Sequence, residues 1–248
     1  MSARSRRRST GSRAKYYLLV GIVAVAIVGY LIASSGERSA STSTNQSSTS
    51  SISSPSKPVI LYVNQGNGAV NSSNFGQLLS VATSHGFNTI FFQVDREGVL
   101  LFDSSALDGF VSSAHGQGLK IFFALYFTNS SQRIPTSIYG DGEDGINLDM
   151  STLTTSAQAA LLANLSSSYS GVTSVTSTDL SSQLRPDMLI LETYGTGLDQ
   201  YIHSGIVASV GVFTTTSKQQ YEQEFQYALT NSDGVMVFDY AGLVKAGY

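Results

Sequence analysis

Short apolar runs, several of them followed by polar stretches with helical spacing, recur along the second part of the chain. "PVILYVN" (58–64), "TIFFQVD" (89–95), "KIFFALYF" (120–127), "GINLDM" (145–150), "GVTSVTS" (171–177), "DMLILETY" (187–194), "IVASVGVF" (206–213) and "GVMVFDY" (234–240) read as β-strands. Near-continuous apolar strands of this length belong in a parallel sheet covered on its faces. Between them, "NFGQLLSVATSHG" and "LDGFVSSAHGQG" end in glycine, the usual residue just beyond a helix. "TTSAQAALLANLSSSY" and "SKQQYEQEFQYALT" place apolar residues three and four apart, with serine or threonine available at the start.

Eight strands alternating with helices predict an α/β fold, a compact (β/α)8 TIM-like barrel over residues 58–248. The span is shorter than the roughly 250 residues typical of that fold, so some helices must be short or missing. An open doubly wound sheet, with some of the runs being loops, is the alternative.

Functional groups in such a barrel project from the carboxyl ends of the strands. Side chains alternate faces, so residues two apart share one. The first strand then presents Tyr62 and Asn64 together, and the second Phe91, Gln93 and Asp95. The third presents Ala124 and Tyr126, and the fourth Asn147 and Asp149. The sixth presents Ile190, Glu192 and Tyr194, and the eighth Val237 and Asp239. Six strands thus finish in a polar or hydroxyl-bearing side chain, which a cleft for a polar ligand needs and a structural sheet does not. Ile146, Leu148 and Met150 should face the helices, while Asp144, before a glycine, fits turn chemistry. Plainer roles compete: Asp149 could cap the next helix, and Asp95 could pair with Arg96. His85 and His115 sit near helix C-termini, where a cation suits the dipole.

The first part of the chain differs in kind. Residues 1–15, "MSARSRRRSTGSRAK", are basic with no acid, and residues 16–33 carry no charge at all. An apolar run of that length is about what a helix needs to cross a bilayer, and the basic flank should stay in the cytoplasm. The expectation is a single-pass transmembrane helix with the C-terminal domain extracellular; a cleaved signal peptide is the rival. Residues 34–57 are mostly serine and threonine and predict a disordered, flexible linker. Sequons at Asn45, Asn71, Asn129 and Asn164 suit an outside location, although Ser/Thr-rich sequence produces such triplets by chance. The absence of cysteine bounds little, since a domain of this size can hold together by its core.

Charge narrows the partners. From residue 57 onward seven lysines and arginines face sixteen carboxylates, a net of −9 hidden within the chain's total of −3. Such a domain repels phosphate backbones, so nucleic acid is not an expected partner. HExxH, paired cysteines and an EF-hand loop are absent, and "NQGNG" lacks the spacing and lysine of a phosphate loop. Neither a metal nor a cofactor is expected. No serine sits in a GxSxG elbow, so carboxylates are the remaining candidates for chemistry.

The fourth-strand stretch "DGINLDM" resembles the "DGxDxDxE" signature of chitinase-type glycoside hydrolases. On that match Asp144 and Asp149 align with two of its aspartates, Asn147 replaces a third, and Ser151 stands where the proton-donating glutamate belongs. The resemblance therefore implies the barrel but not the chitinase-type mechanism. "PDMLILETYG" is similar to a late-strand pattern of polygalactosaminidase-like and spherulin-four-like barrels, and implies Asp149 and Glu192 as the two functional carboxylates, with Asp187 at the strand's start. "FNTIFFQVDREGVLLFDS" resembles the second-strand region of glycoside hydrolase-like barrels.

The expected function is a membrane-anchored glycoside hydrolase acting on a surface or extracellular polysaccharide through two carboxyl groups. Asp149 and Glu192 are the catalytic pair, with Glu192, leaving the apolar "MLIL", as acid and Asp149 as base or nucleophile. Asn64, Gln93, Asp95, Tyr126, Asn147, Tyr194 and Asp239 are expected to bind sugar. A barrel that binds carbohydrate without cleaving it, or a scaffold in the cell envelope, are the alternatives; serine at 151 favours the former.

Overall fold

The first strand, β1 (Val59–Val63), pairs in parallel on one side with β2 (Thr89–Arg96) and on the other with β9 (Gly234–Phe238). That double pairing closes the sheet into a cylinder. Around it follow β4 (Lys120–Tyr126), β5 (Gly145–Asp149), β6 (Val172–Ser177), β7 (Met188–Leu191) and β8 (Val207–Gly211), each parallel to its neighbours. All eight apolar runs are strands of one closed barrel, and the open-sheet alternative falls because β1 has a partner on both edges. The structure is a computed structural model and describes residues 56–67, 70–179, 183–194, 198–213 and 215–248. The basic tail (1–15), the expected transmembrane helix (16–33) and the linker as far as residue 55 lie outside the described residues.

The strands are covered by α1 (Phe75–Ser84), α2 (Ser104–His115), α3 (Thr155–Ser168) and α5 (Lys218–Asn231), close to the four periodic stretches. Asp103 and Ser217 accept hydrogen bonds from the amides of Ala106 and Gln220, satisfying donors that a helix start leaves unpaired. Gly86 follows α1 at φ 75°, a conformation that a Cβ disfavours. Two more helices are short: α4 (Leu198–Tyr201) and α6 (Tyr240–Lys245). A single 3-10 turn, Thr136–Ile138, stands between β4 and β5, and the described residues between β6 and β7 contain no helix. Missing helices are how so short a chain closes the barrel.

Alternation sorts the core into two layers. Leu61, Ile90, Phe92, Phe123, Ile146, Leu148 and Val235 point outward into the layer beneath the helices. Ile60, Phe91, Phe122, Ala124, Ile190, Val207 and Met236 fill the barrel's interior, with Phe91 and Phe122 stacked at 5.0 Å. Burying each such side chain contributes roughly 1.5–3 kcal/mol. The start of β5 admits only glycine: a Cβ on Gly145 would lie 2.4 Å from the Phe122 ring and 2.7 Å from the Val172 carbonyl oxygen.

The hairpin after β2 was not foreseen. β3 (Val99–Leu100) folds back antiparallel on Asp95 and Arg96 through a turn at Glu97 (φ 57°) and Gly98 (φ 85°). Just before it, between Gln93 and Asp95, β2 slips by one residue against β4, so that Asp95 pairs with Leu125 and Arg96 with Tyr126. Such a bulge reverses the faces of everything beyond it.

Candidate active site

Closing the cylinder brings the carboxyl ends of β1, β2, β4, β5, β7 and β9 around a cavity of about 200 Å³. Tyr62 and Asn64 enter from β1 and the residue after it, Gln93 and Arg96 from β2, and Tyr126 from β4. Asp149 and Ser151 come from the end of β5, Glu192 from the residue after β7, and Phe238 from β9. A larger cleft of about 730 Å³ lies beside it and shares Phe238, but its one carboxyl is Asp239. The smaller cavity is therefore where two carboxyl groups meet.

Each of those carboxyls is held by a tyrosine through one oxygen. The Tyr62 hydroxyl donates to Asp149 Oδ2 at 2.8 Å, and the Tyr194 hydroxyl donates to Glu192 Oε1 at 2.7 Å while standing 3.5 Å from the Ser209 hydroxyl. Asp149 Oδ1 and Glu192 Oε2 are buried with no hydrogen-bond partner. A buried polar atom left unpaired costs about 1–3 kcal/mol, so two of them in one cavity mark groups kept for a ligand or a proton.

Burial dominates the electrostatics of Asp149. Asp149 is only 7% exposed, and burial, followed by the nearby Glu192 charge, raises it from 3.8 to about 7. The hydrogen bond from Tyr62, and the Ser151 amide and hydroxyl standing near the carboxyl outside hydrogen-bond geometry, pull the other way without cancelling the rise. Burial also raises the hydroxyls of Tyr62, Tyr126 and Tyr194, with Asp149 and Glu192 adding to each, so all three tyrosines stay protonated donors.

Of the sequence-expected residues, the structure brings Asn64, Gln93, Tyr126, Asp149 and Glu192 to the cavity, with Tyr194 behind Glu192. Gln93 Oε1 accepts from the Gln65 amide at 2.7 Å, and Asn64 Oδ1 from the Gly66 amide at 2.6 Å, so both also shape the loop after β1. Three expectations need correction. Asp95 does not line the cavity, because the bulge turns it away; it is fully buried, accepts from the Gly98 amide at 3.3 Å, and is raised to about 6 by burial. Asn147 lies deeper in the barrel, where its Oδ1 accepts from the hydroxyls of Ser174 (3.0 Å) and Thr176 (3.1 Å). Asp239 lines the neighbouring larger cleft rather than this cavity, and caps α6 by accepting from the Gly242 amide at 2.9 Å. The eighth barrel strand has the opposite parity to the one expected: Phe238 pairs with Tyr62 and faces the cavity, while Val237 faces the helices.

Arg96 and Phe238 were missed. Neither was legible, since a bulge and a strand's parity are set by neighbouring strands. Tyr62 carried a signal, sharing a face with Asn64 at the end of an apolar strand. Asp144, as turn chemistry suggested, works at the opposite end of β5, accepting from the Ile121 amide and meeting His115 Nε2, each at 2.8 Å. Asp187 accepts from the amide and hydroxyl of Thr173, a brace between β6 and β7. Among the described residues no group of three His, Cys, Asp or Glu side chains is placed to hold a metal ion.

No protein-family model matches the chain, and no curated protein matches it in sequence. Solved structures do match in shape. The GH18 chitinase ChiB of Flavobacterium johnsoniae is similar at a TM-score of 0.53 and 12% identity, over 76% of this chain and 89% of that one. A chitinase from Bacteroides thetaiotaomicron gives 0.49 and 12%, over 75% and 90%. A GH113 β-1,4-mannanase gives 0.49 and 10%, over 75% and 88%. At such identity the likeness is one of fold: the domain adopts a (β/α)8 barrel of the kind found in glycoside hydrolases.

Proposed function

We propose that the protein is a membrane-anchored glycoside hydrolase that cleaves a surface or extracellular polysaccharide, with Asp149 and Glu192 as its two catalytic carboxyls. The observation that carries this reading is their meeting in one cavity at the carboxyl ends of the strands, each tied to a tyrosine and each with one uncommitted oxygen. Barrels of this fold place their chemistry at that face.

The burial of Asp149 supports exchanging the two roles expected from sequence. Asp149, raised to about 7, keeps its proton near neutral pH and is the general acid. It gives that proton to the glycosidic oxygen as the bond to the anomeric carbon breaks. Glu192 either attacks that carbon or takes a proton from the water that does; the separation of the two groups in the complex with substrate decides which. Tyr62 and Tyr194 hold the carboxyls in place, and Gln93, Asn64 and Tyr126 offer polar groups to sugar hydroxyls.

Asp149→Asn and Glu192→Gln should each lower turnover of a cleavable glycan by about 10²–10⁴-fold while the protein still melts cooperatively. Undiminished hydrolysis by the double variant removes the assignment. A second reading, carbohydrate binding without cleavage, is favoured by one observation: the position of the chitinase-type glutamate lines the cavity and is Ser151. Glycan binding by wild type with no turnover at any pH selects it.

The anchor rests on the uncharged residues 16–33 and the basic residues before them. No helix among the described residues is long and apolar enough to cross a membrane.

A further inference from the structure

We propose that Arg96 makes this cavity a receptor for an acidic glycan, one bearing carboxylate, sulfate or phosphate oxygens. The inference rests on the glycoside hydrolase reading and names its substrate class. Arg96 is the cation that lines the cavity, in a domain where carboxylates outnumber lysines and arginines by sixteen to seven. Among the described residues no carboxylate lies within ion-pair distance of it, although Asp95 and Glu97 flank it in sequence. Asp95 is turned inward, where it accepts from the Gly98 amide. The guanidinium's charge is thus not spent on a neighbour.

Its position is built rather than incidental. The bulge in β2 sets Arg96 opposite Tyr126, and the guanidinium carbon lies 5.7 Å from the centre of that ring. On another side it packs against Gly66, where a Cβ would come within 2.2 Å of Nη1, so glycine leaves the room that the guanidinium occupies. A planar fork fixed over an aromatic ring matches the oxygens of a carboxylate, sulfate or phosphate. Arg96 also acts on the cavity, drawing down the Tyr126 hydroxyl that the carboxylates push up. A cavity holding two carboxyls would repel an anionic sugar unless a cation met its charge. Arg96 does so from the rim.

The test is binding of the full-length protein in detergent to an array of uronate-containing, sulfated, phosphorylated and neutral oligosaccharides. Wild type should retain anionic members, and the arm retained identifies which oxyanion is read. R96Q should weaken that retention by about tenfold or more and leave the melting temperature unchanged, and R96K, charged but without the fork, should fall between. Retention of neutral glycans alone, or equal retention of anionic ones by R96Q, overturns this inference and leaves the hydrolase reading standing. Retention of no glycan overturns both.

Discussion

Asp149 carries a carboxyl that ionises easily in water and poorly where the fold puts it. Its folded value of about 7 against 3.8 means that, between those pH values, the folded protein holds a proton that the unfolded chain has released. Stability from this group is therefore greatest below about pH 4, falls as pH rises toward about 7, and then levels off, by something on the order of 4 kcal/mol at most. Asp95, raised to about 6 and fully buried, acts in the same direction over a narrower window. Asp149→Asn, which can still accept from Tyr62, should melt higher than wild type near about pH 8 and match it near about pH 4. Asp95→Asn should show the same pattern with a smaller gap. Thermal melts across that range are the check; an Asp149→Asn advantage that does not change with pH would mean that burial is not what raises the group. At this scale the sequence named both carboxyls but not the burial that raises Asp149, because that burial comes from strands that are distant in the chain.

Among the elements, β5 shows how little freedom the interior leaves. Gly145→Ala would drive a methyl group into the Phe122 ring and the Val172 carbonyl, and neither the ring in its stack nor the backbone can yield cheaply. The expected loss is about 1–3 kcal/mol, read from denaturant unfolding, with Asp149 displaced and activity reduced alongside. An alanine variant as stable as wild type would show that the β5 backbone has room to shift. Element existence was legible, because apolar runs and helical periodicity are local properties. Side-chain facing was legible only while a strand stayed regular: Tyr62, Gln93 and Asn147 faced inward as alternation requires. Arg96 took the side expected of Asp95 because a bulge inserted one residue, and Phe238 replaced Asp239 because β9 takes its register from β1.

For the whole molecule, the proposed anchor and the proposed site make a joint prediction. If residues 16–33 span the membrane with the basic end inside, protease added to intact cells should remove the domain from residue 58 onward and spare an epitope placed at the N-terminus. Removal of both, or of neither, would reject that orientation. The N-terminal basic cluster and the acidic domain are separate features that one net charge conceals.

The sequence by itself determined the eight strands, their order, the helices that cover four of the connections, and the acids worth watching, since all of these depend on local period and residue type. Only the tertiary structure decided that the sheet closes, that Asp149 and Glu192 meet in one cavity, that Asp95, Asn147 and Asp239 lie outside that cavity, and that Arg96 reaches its rim. Those outcomes depend on hydrogen-bond register between strands far apart in the chain, and on burial that no single segment can impose on itself.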